Sequence, residues 1–140
     1  MPTGTQERKE KFIPASPRNV QIEEHWLELP DGRMRYLKAG SGPALILIHG
    51  LMGYAFSWRF TIPALAPYAT VYAIDNLGAG LSTANEGIDC TVHATAERVL
   101  QFVDALGLKI STCWAPPTVA ASRSWWPRYA QSDMIHACSA

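Results

Sequence analysis

Residues 44–49 read ALILIH, a continuous apolar run ending in a histidine. A strand with one wet face alternates apolar and polar side chains, whereas one covered on both faces does not. This run therefore predicts a strand inside a parallel sheet covered by helices. TVYAID at 70–75 predicts a second such strand. Between them, WRFTIPALAPYA (58–69) predicts a short helix with Pro63 near an end or at a kink. The clearest periodic segment is TVHATAERVLQFVDALGL (91–108), where Val92, Ala96, Val99, Val103 and Leu106 recur at intervals of four, three, four and three. That spacing makes one apolar stripe on a helix, which Thr91 can cap at its start and Gly107 at its end. Upstream, Ile22, Trp26, Leu27 and Leu29 mark one strand, and Met34, Tyr36 and Ala39 mark another. Pro30-Asp31-Gly32 between them is turn chemistry, and GSG at 40–42 ends the pair. The order hairpin, strand, helix, strand, helix predicts an α/β sheet with its functional loops at the strand C-termini.

The length of 140 residues suits one domain, and 48% hydrophobic content suffices for a core. Twelve basic and twelve acidic residues balance, so nothing suggests a nucleic-acid partner. PALILIHGLMG is too short and too glycine-broken to span a bilayer. The first twenty residues are polar and lack the apolar core of a signal peptide, which predicts a flexible N-terminal arm (1–20) on a cytoplasmic protein. Cys90, Cys113 and Cys138 have neither disulfide nor metal spacing, and no metal or cofactor is expected.

Two glycine-bearing loops follow the two buried strands. The first opens with His49-Gly50; the second reads Asp75-x-x-Gly78-x-Gly80-x-Ser82. Together, LILIHGLMGYAFSW and VYAIDNLGAGLS resemble the N-terminal half of an α/β-hydrolase over roughly residues 20–110. The resemblance implies a partial α/β-hydrolase domain (21–110) whose first loop supplies half of an oxyanion hole through the N–H of Leu51. Such donors, fixed in advance, stabilise the charge that develops in acyl transfer. It also implies that His49 holds the loop rather than reacting, with Gly50 clearing space for the turn. Glycines at 78 and 80 let the second loop pack closely, and Asp75 accepts neighbouring backbone hydrogen bonds. Ser82 completes the motif. Asp75 as a nucleophile, His25 and His93 as ligands or bases, and Asp104 and Glu97 as acids all have plainer readings as structural or surface groups. His136 has no evident partner.

The composition changes abruptly near residue 111. All ten glycines and all twelve leucines precede it, while three of five tryptophans and two of three cysteines follow it. In the family a further strand begins here and ends in Gly-x-Ser-x-Gly, with the nucleophile on a sharp turn. Instead the sequence reads STCWAPPTVAASRSWW, and no Gly-x-Ser-x-Gly occurs anywhere. Reading the last base of each codon with the first two of the next forces Leu from Cys113–Trp114 and Gly from Trp114–Ala115. The positions that follow permit x-Ser-x-Gly-Gly-Gly and then an apolar helix. We therefore expect one base to have been lost near codons 110–112, making 111–140 an atypical, frameshifted tail. The elbow codon of the alternate frame ends in CC, so it can encode Ser but neither Asp nor Cys.

On this reading the intact parent is a serine hydrolase of small-molecule esters or amides, and the chain itself carries no catalytic residue. Without the elbow strand, ALILIH is expected to be an exposed edge that invites self-association. The alternative is a non-catalytic binding protein with a tryptophan-rich interaction tail. A small esterase using Ser122 or Ser124 is disfavoured, because neither has flanking glycines.

Overall fold

The computed structural model describes residues 19–50, 52–115 and 135–137. They form a mixed sheet flanked by helices. The strands are β1 (Ile22–Leu29), β2 (Gly32–Ala39), β3 (Ala44–Ile48), β4 (Thr70–Ile74), β5 (Thr83–Ala84), β6 (Ile110–Ala115) and β7 (Ile135–Ala137). The helices are α1 (Thr61–Leu65) and α2 (Val92–Ala105), with a 3-10 turn over Ala55–Trp58. The sheet order is β1-β2-β4-β3-β6-β7, and β5 pairs with β2. β1, β2 and β4 run antiparallel in turn, while β4, β3, β6 and β7 are mutually parallel.

β1 and β2 form the expected hairpin, with Leu29 opposite Gly32 across Pro30 and Asp31. β3 is buried at all five positions because both of its faces are covered. Ile46 and Ile48 join Tyr36, Tyr72, Ile74, Val99, Phe102 and Val103 in one cluster. Leu45 and Leu47 join Leu37, Val71, Ala73, Ile62 and Ala66 in the other. Successive strand residues face opposite ways, so a run feeding two cores cannot alternate with polar residues.

α2 begins where Thr91 accepts the Ala94 N–H at 3.2 Å. It ends in a Schellman motif: Leu108 N–H donates to Val103 O, Gly107 N–H donates to Asp104 O, and Gly107 takes φ +61°. The expected apolar stripe holds at Ala96, Val99 and Val103, which are buried, and at Leu106, which packs against the same core; its first position departs. Val92 is exposed, and the fully buried Phe102 packs beside the stripe, edge-on to Tyr36 at 5.0 Å and to Tyr72 at 6.2 Å. Arg98 is also buried and reaches Asp31 of the hairpin turn at 3.0 Å. The helix expected over 58–69 shrinks to the five residues of α1, with Pro63 in its first turn.

The expectation that β3 is an exposed edge is overturned. β6 pairs with β3 in parallel from Ile110 to Trp114, and β7 pairs with β6. A strand can therefore form across the point where the composition changes, and an unsatisfied β3 backbone provides no route to self-association. One irregularity lies at that point: Ala44 pairs with Ile110 and Leu45 with Thr112, leaving Ser111 as an extra residue. The arm proposed for 1–20 lies outside the described residues except for Asn19 and Val20, and Val20 packs against the second cluster.

Candidate functional site

Ile48 and Ile74 are paired neighbours at the C-terminal ends of parallel strands, so His49 and Asp75 leave the sheet side by side. Each then fastens a loop. The Asn76 N–H donates to His49 Nε2 at 2.9 Å, and His49 Nδ1 donates to Gly50 O at 2.8 Å. A backbone N–H can only donate, so Nε2 carries the lone pair and the ring is the Nδ1–H tautomer. His49 is buried with both nitrogens engaged and has no free lone pair for a base. It ties the first loop to the second. Gly50 O also receives the Gly53 N–H at 3.0 Å, closing a tight turn.

Asp75 is fully buried. Its Oδ1 accepts the Ala55 N–H at 2.6 Å, and its Oδ2 accepts Leu81 N–H at 3.0 Å and Arg35 Nη1 at 3.1 Å. Three donors satisfy the carboxylate and hold it away from solvent, a structural use of the group. Ser82 Oγ donates to Asp75 O at 2.7 Å and accepts the Arg35 N–H at 2.8 Å, so this hydroxyl is committed as well. Gly80 has φ +55°, and a Cβ there would lie 2.3 Å from Asp75 Oδ2. Close packing on the carboxylate thus requires glycine. Gly78 differs from expectation: a Cβ there would meet nothing within 4 Å, and only its φ of +82° favours glycine. Close packing belongs to Gly80 alone.

The two loops and the start of α2 enclose a cleft of about 580 Å³, with Gly50, Tyr54, Asn76 and Leu77 in its wall. Met52, which is 94% exposed with φ +63°, and Val92 stand at its rim. Asn76 Oδ1 is buried without a hydrogen-bond partner among the described residues. Leu51, the expected oxyanion donor, lies outside the described residues, as do Ser122 and Ser124. His25 is half-buried rather than on the open surface, stacked on Tyr36 at 5.2 Å and 3.0 Å from Glu23. His93, Glu97 and Asp104 are exposed on α2. His136 stands opposite Trp114 in the β6–β7 pairing, away from the two loops in the sheet order. No group of three or more His, Cys, Asp or Glu among the described residues is arranged to hold a metal ion. No described helix is long and apolar enough to cross a membrane.

Arg35 was not anticipated. A fully buried guanidinium inside the strand run MRYL signals an ion pair, because an unpaired charge is too costly to bury. The sequence signal was a charged residue flanked by Met34 and Tyr36, which a strictly apolar reading of β2 passes over.

The model of the family described as alpha/beta hydrolase fold matches residues 43–115, just over half of the chain. Haloalkane dehalogenase 2 of Mycobacterium bovis is 35% identical over 97 residues, which is 69% of this chain and 34% of that protein. N-formylmaleamate deformylase of Pseudomonas putida is 38% identical over 77 residues, 54% of this chain and 29% of that protein. Among solved structures, the epoxide hydrolase CorEH without ligand superposes with a TM-score of 0.69 at 31% identity, covering 82% of this chain and 40% of that one. The chain thus spans about a third of the length of the curated relatives it matches. With the parallel β4-β3-β6 core, the tied His-Gly loop and the match over 43–115, this chain belongs to the α/β-hydrolase fold family.

Proposed function

We propose that the chain carries the oxyanion-loop half of a hydrolase of small-molecule esters or amides, with a serine nucleophile encoded in the alternate frame beyond codon 112. The observation that carries this reading is where β6 ends. Returning one base near codons 110–112 places the forced glycine of the elbow at the position of Ala115, the last residue of β6. The permitted serine then falls two positions further on, just past the strand, where a nucleophile elbow belongs. The preceding forced leucine takes the place of Trp114.

In the restored protein the serine attacks the acyl carbon, a histidine takes its proton, and an acidic residue orients that histidine. The Leu51 N–H and the N–H after the nucleophile hold the oxyanion. His49, Asp75, Gly50, Gly78, Gly80 and Ser82 shape the loops and take no part in proton transfer. The 140 residues supply the loop of the oxyanion hole and contain no Gly-x-Ser-x-Gly.

A second reading takes its support from the named relatives, a haloalkane dehalogenase and an epoxide hydrolase: opening of a carbon–halogen or epoxide bond by an aspartate nucleophile. The elbow codon separates the two, because a codon ending in CC cannot encode Asp. The deciding experiment is to sequence the nucleotides from codon 105 to well past codon 140, then express the gene with one base restored. An open frame with Gly-x-Ser-x-Gly and p-nitrophenyl ester hydrolysis, absent from the present chain, is expected. A frame that closes at once, or lacks the serine, refutes the proposal and favours the binding-protein alternative.

A further inference from the structure

Arg35 joins the hairpin to both loops. Its Nε donates to Glu24 Oε1 at 2.6 Å on β1, and its Nη1 donates to Asp75 Oδ2 at 3.1 Å beyond β4. Arg35 is 0% exposed, and the Glu24 side chain is 17% exposed. The main chain of the same residue repeats the connection. Arg35 O accepts the Asp75 N–H at 2.9 Å, and Arg35 N–H donates to Ser82 Oγ at 2.8 Å. Asp75 in turn holds the N–H of Ala55, at the end of the first loop, and of Leu81, within the second.

We infer that Arg35 is a positioning residue for the His49–Ala55 loop, acting through Asp75. A carboxylate can rotate about its Cβ–Cγ bond, and two backbone N–H groups alone do not fix a charge in a water-poor site. The planar guanidinium, itself braced by Glu24, locks the plane of the Asp75 carboxylate. That plane sets where Oδ1 meets the Ala55 N–H, and so where the far end of the loop is held. Lysine cannot do the same, because one ammonium is a point charge and does not bridge two carboxylates in fixed geometry. Any consequence for catalysis rests on the acyl-transfer reading above; the loop geometry does not, and the test addresses geometry alone.

The test is amide hydrogen exchange, read by NMR on the full chain, for Arg35→Met and Arg35→Lys. Arg35→Met should speed exchange at Ala55 and Leu81 by about tenfold or more, the factor expected from loss of a hydrogen bond to a charged group, while β3 and β4 ladder amides keep their rates. Arg35→Lys keeps the charge and should raise the same two amides selectively, by about threefold or more, since it loses only part of the fork. Where Arg35→Met does not fold, Arg35→Lys decides. Unchanged exchange at Ala55 and Leu81, or a rise shared equally with the ladder amides, overturns the inference.

Discussion

Replacing Gly80 and Gly78 in turn by alanine separates close packing from backbone conformation. Both residues have positive φ, +55° and +82°, so each alanine costs about 1–2 kcal/mol for the left-handed conformation. There the similarity ends. At Gly78 the new Cβ enters open space. At Gly80 it falls 2.3 Å from Asp75 Oδ2, 2.6 Å from its Cγ and 2.9 Å from Tyr54 Cβ. The carboxylate must retreat by about 1 Å to reach an ordinary contact. Oδ2 carries the bonds to Leu81 N–H and Arg35 Nη1, at 3.0 and 3.1 Å, which that retreat breaks. Hydrogen bonds to a charged group are worth about 1.5–3 kcal/mol each, so Gly80→Ala should lose about 4 kcal/mol or more and Gly78→Ala about 1–2. For a domain of ordinary stability, about 5–15 kcal/mol, the first loss leaves little and the second is easily borne. Urea denaturation followed by tryptophan fluorescence, with m-values compared, measures both. Equal losses in the two variants, within about 0.5 kcal/mol, would refute the placement of Gly80 against Asp75.

Three further outcomes follow from buried groups. Burial pushes the Cys113 thiol up to about 12, from an ordinary 9.0. In a chain with Cys90→Ser and Cys138→Ser, Cys113 should therefore resist thiol reagents at neutral pH until the protein unfolds, and rapid labelling of the native chain would contradict its burial. Because the folded pKa is the higher, the stability that the neutral thiol contributes is complete below about pH 9 and is lost as pH rises towards about 12. Phe102→Ala removes the aromatic wedge between Tyr36, Tyr72 and α2 and should cost about 3–5 kcal/mol in urea melts; a loss below about 1 would mean that α2 does not pack there.

The elements with strong local signals were legible before any coordinates. β3 and β4 declared themselves as unbroken apolar runs, because each feeds two cores and has no wet face. The hairpin followed from Pro30-Asp31-Gly32, and the ends of α2 from Thr91 and Gly107, whose chemistry acts within a few residues of the chain. The loop residues were proposed from the resemblance of two motifs, each directly after a buried strand, to the α/β-hydrolase pattern.

Long-range matters were not legible. Phe102 packs edge-on to Tyr36 and Tyr72 beside the predicted stripe of Ala96, Val99 and Val103, whereas Val92 at the start of that stripe is exposed: a period says which residues share a face, not where along the helix the core begins. Gly78 and Gly80 look alike in sequence; only the approach of Asp75 distinguishes them. Arg35 carried no expectation from the sequence, and its burial is offset only once Glu24 and Asp75, 11 and 40 residues away, are brought to it. Composition marked the change near residue 111, but it took the sheet to show that β6 still covers β3 and ends at Ala115. Sequence by itself determined the period, caps and turns, which depend on neighbours along the chain. Which charges are paired, which glycine is obligatory and which strand lies at an edge depend on neighbours in space, and these only the tertiary structure decided.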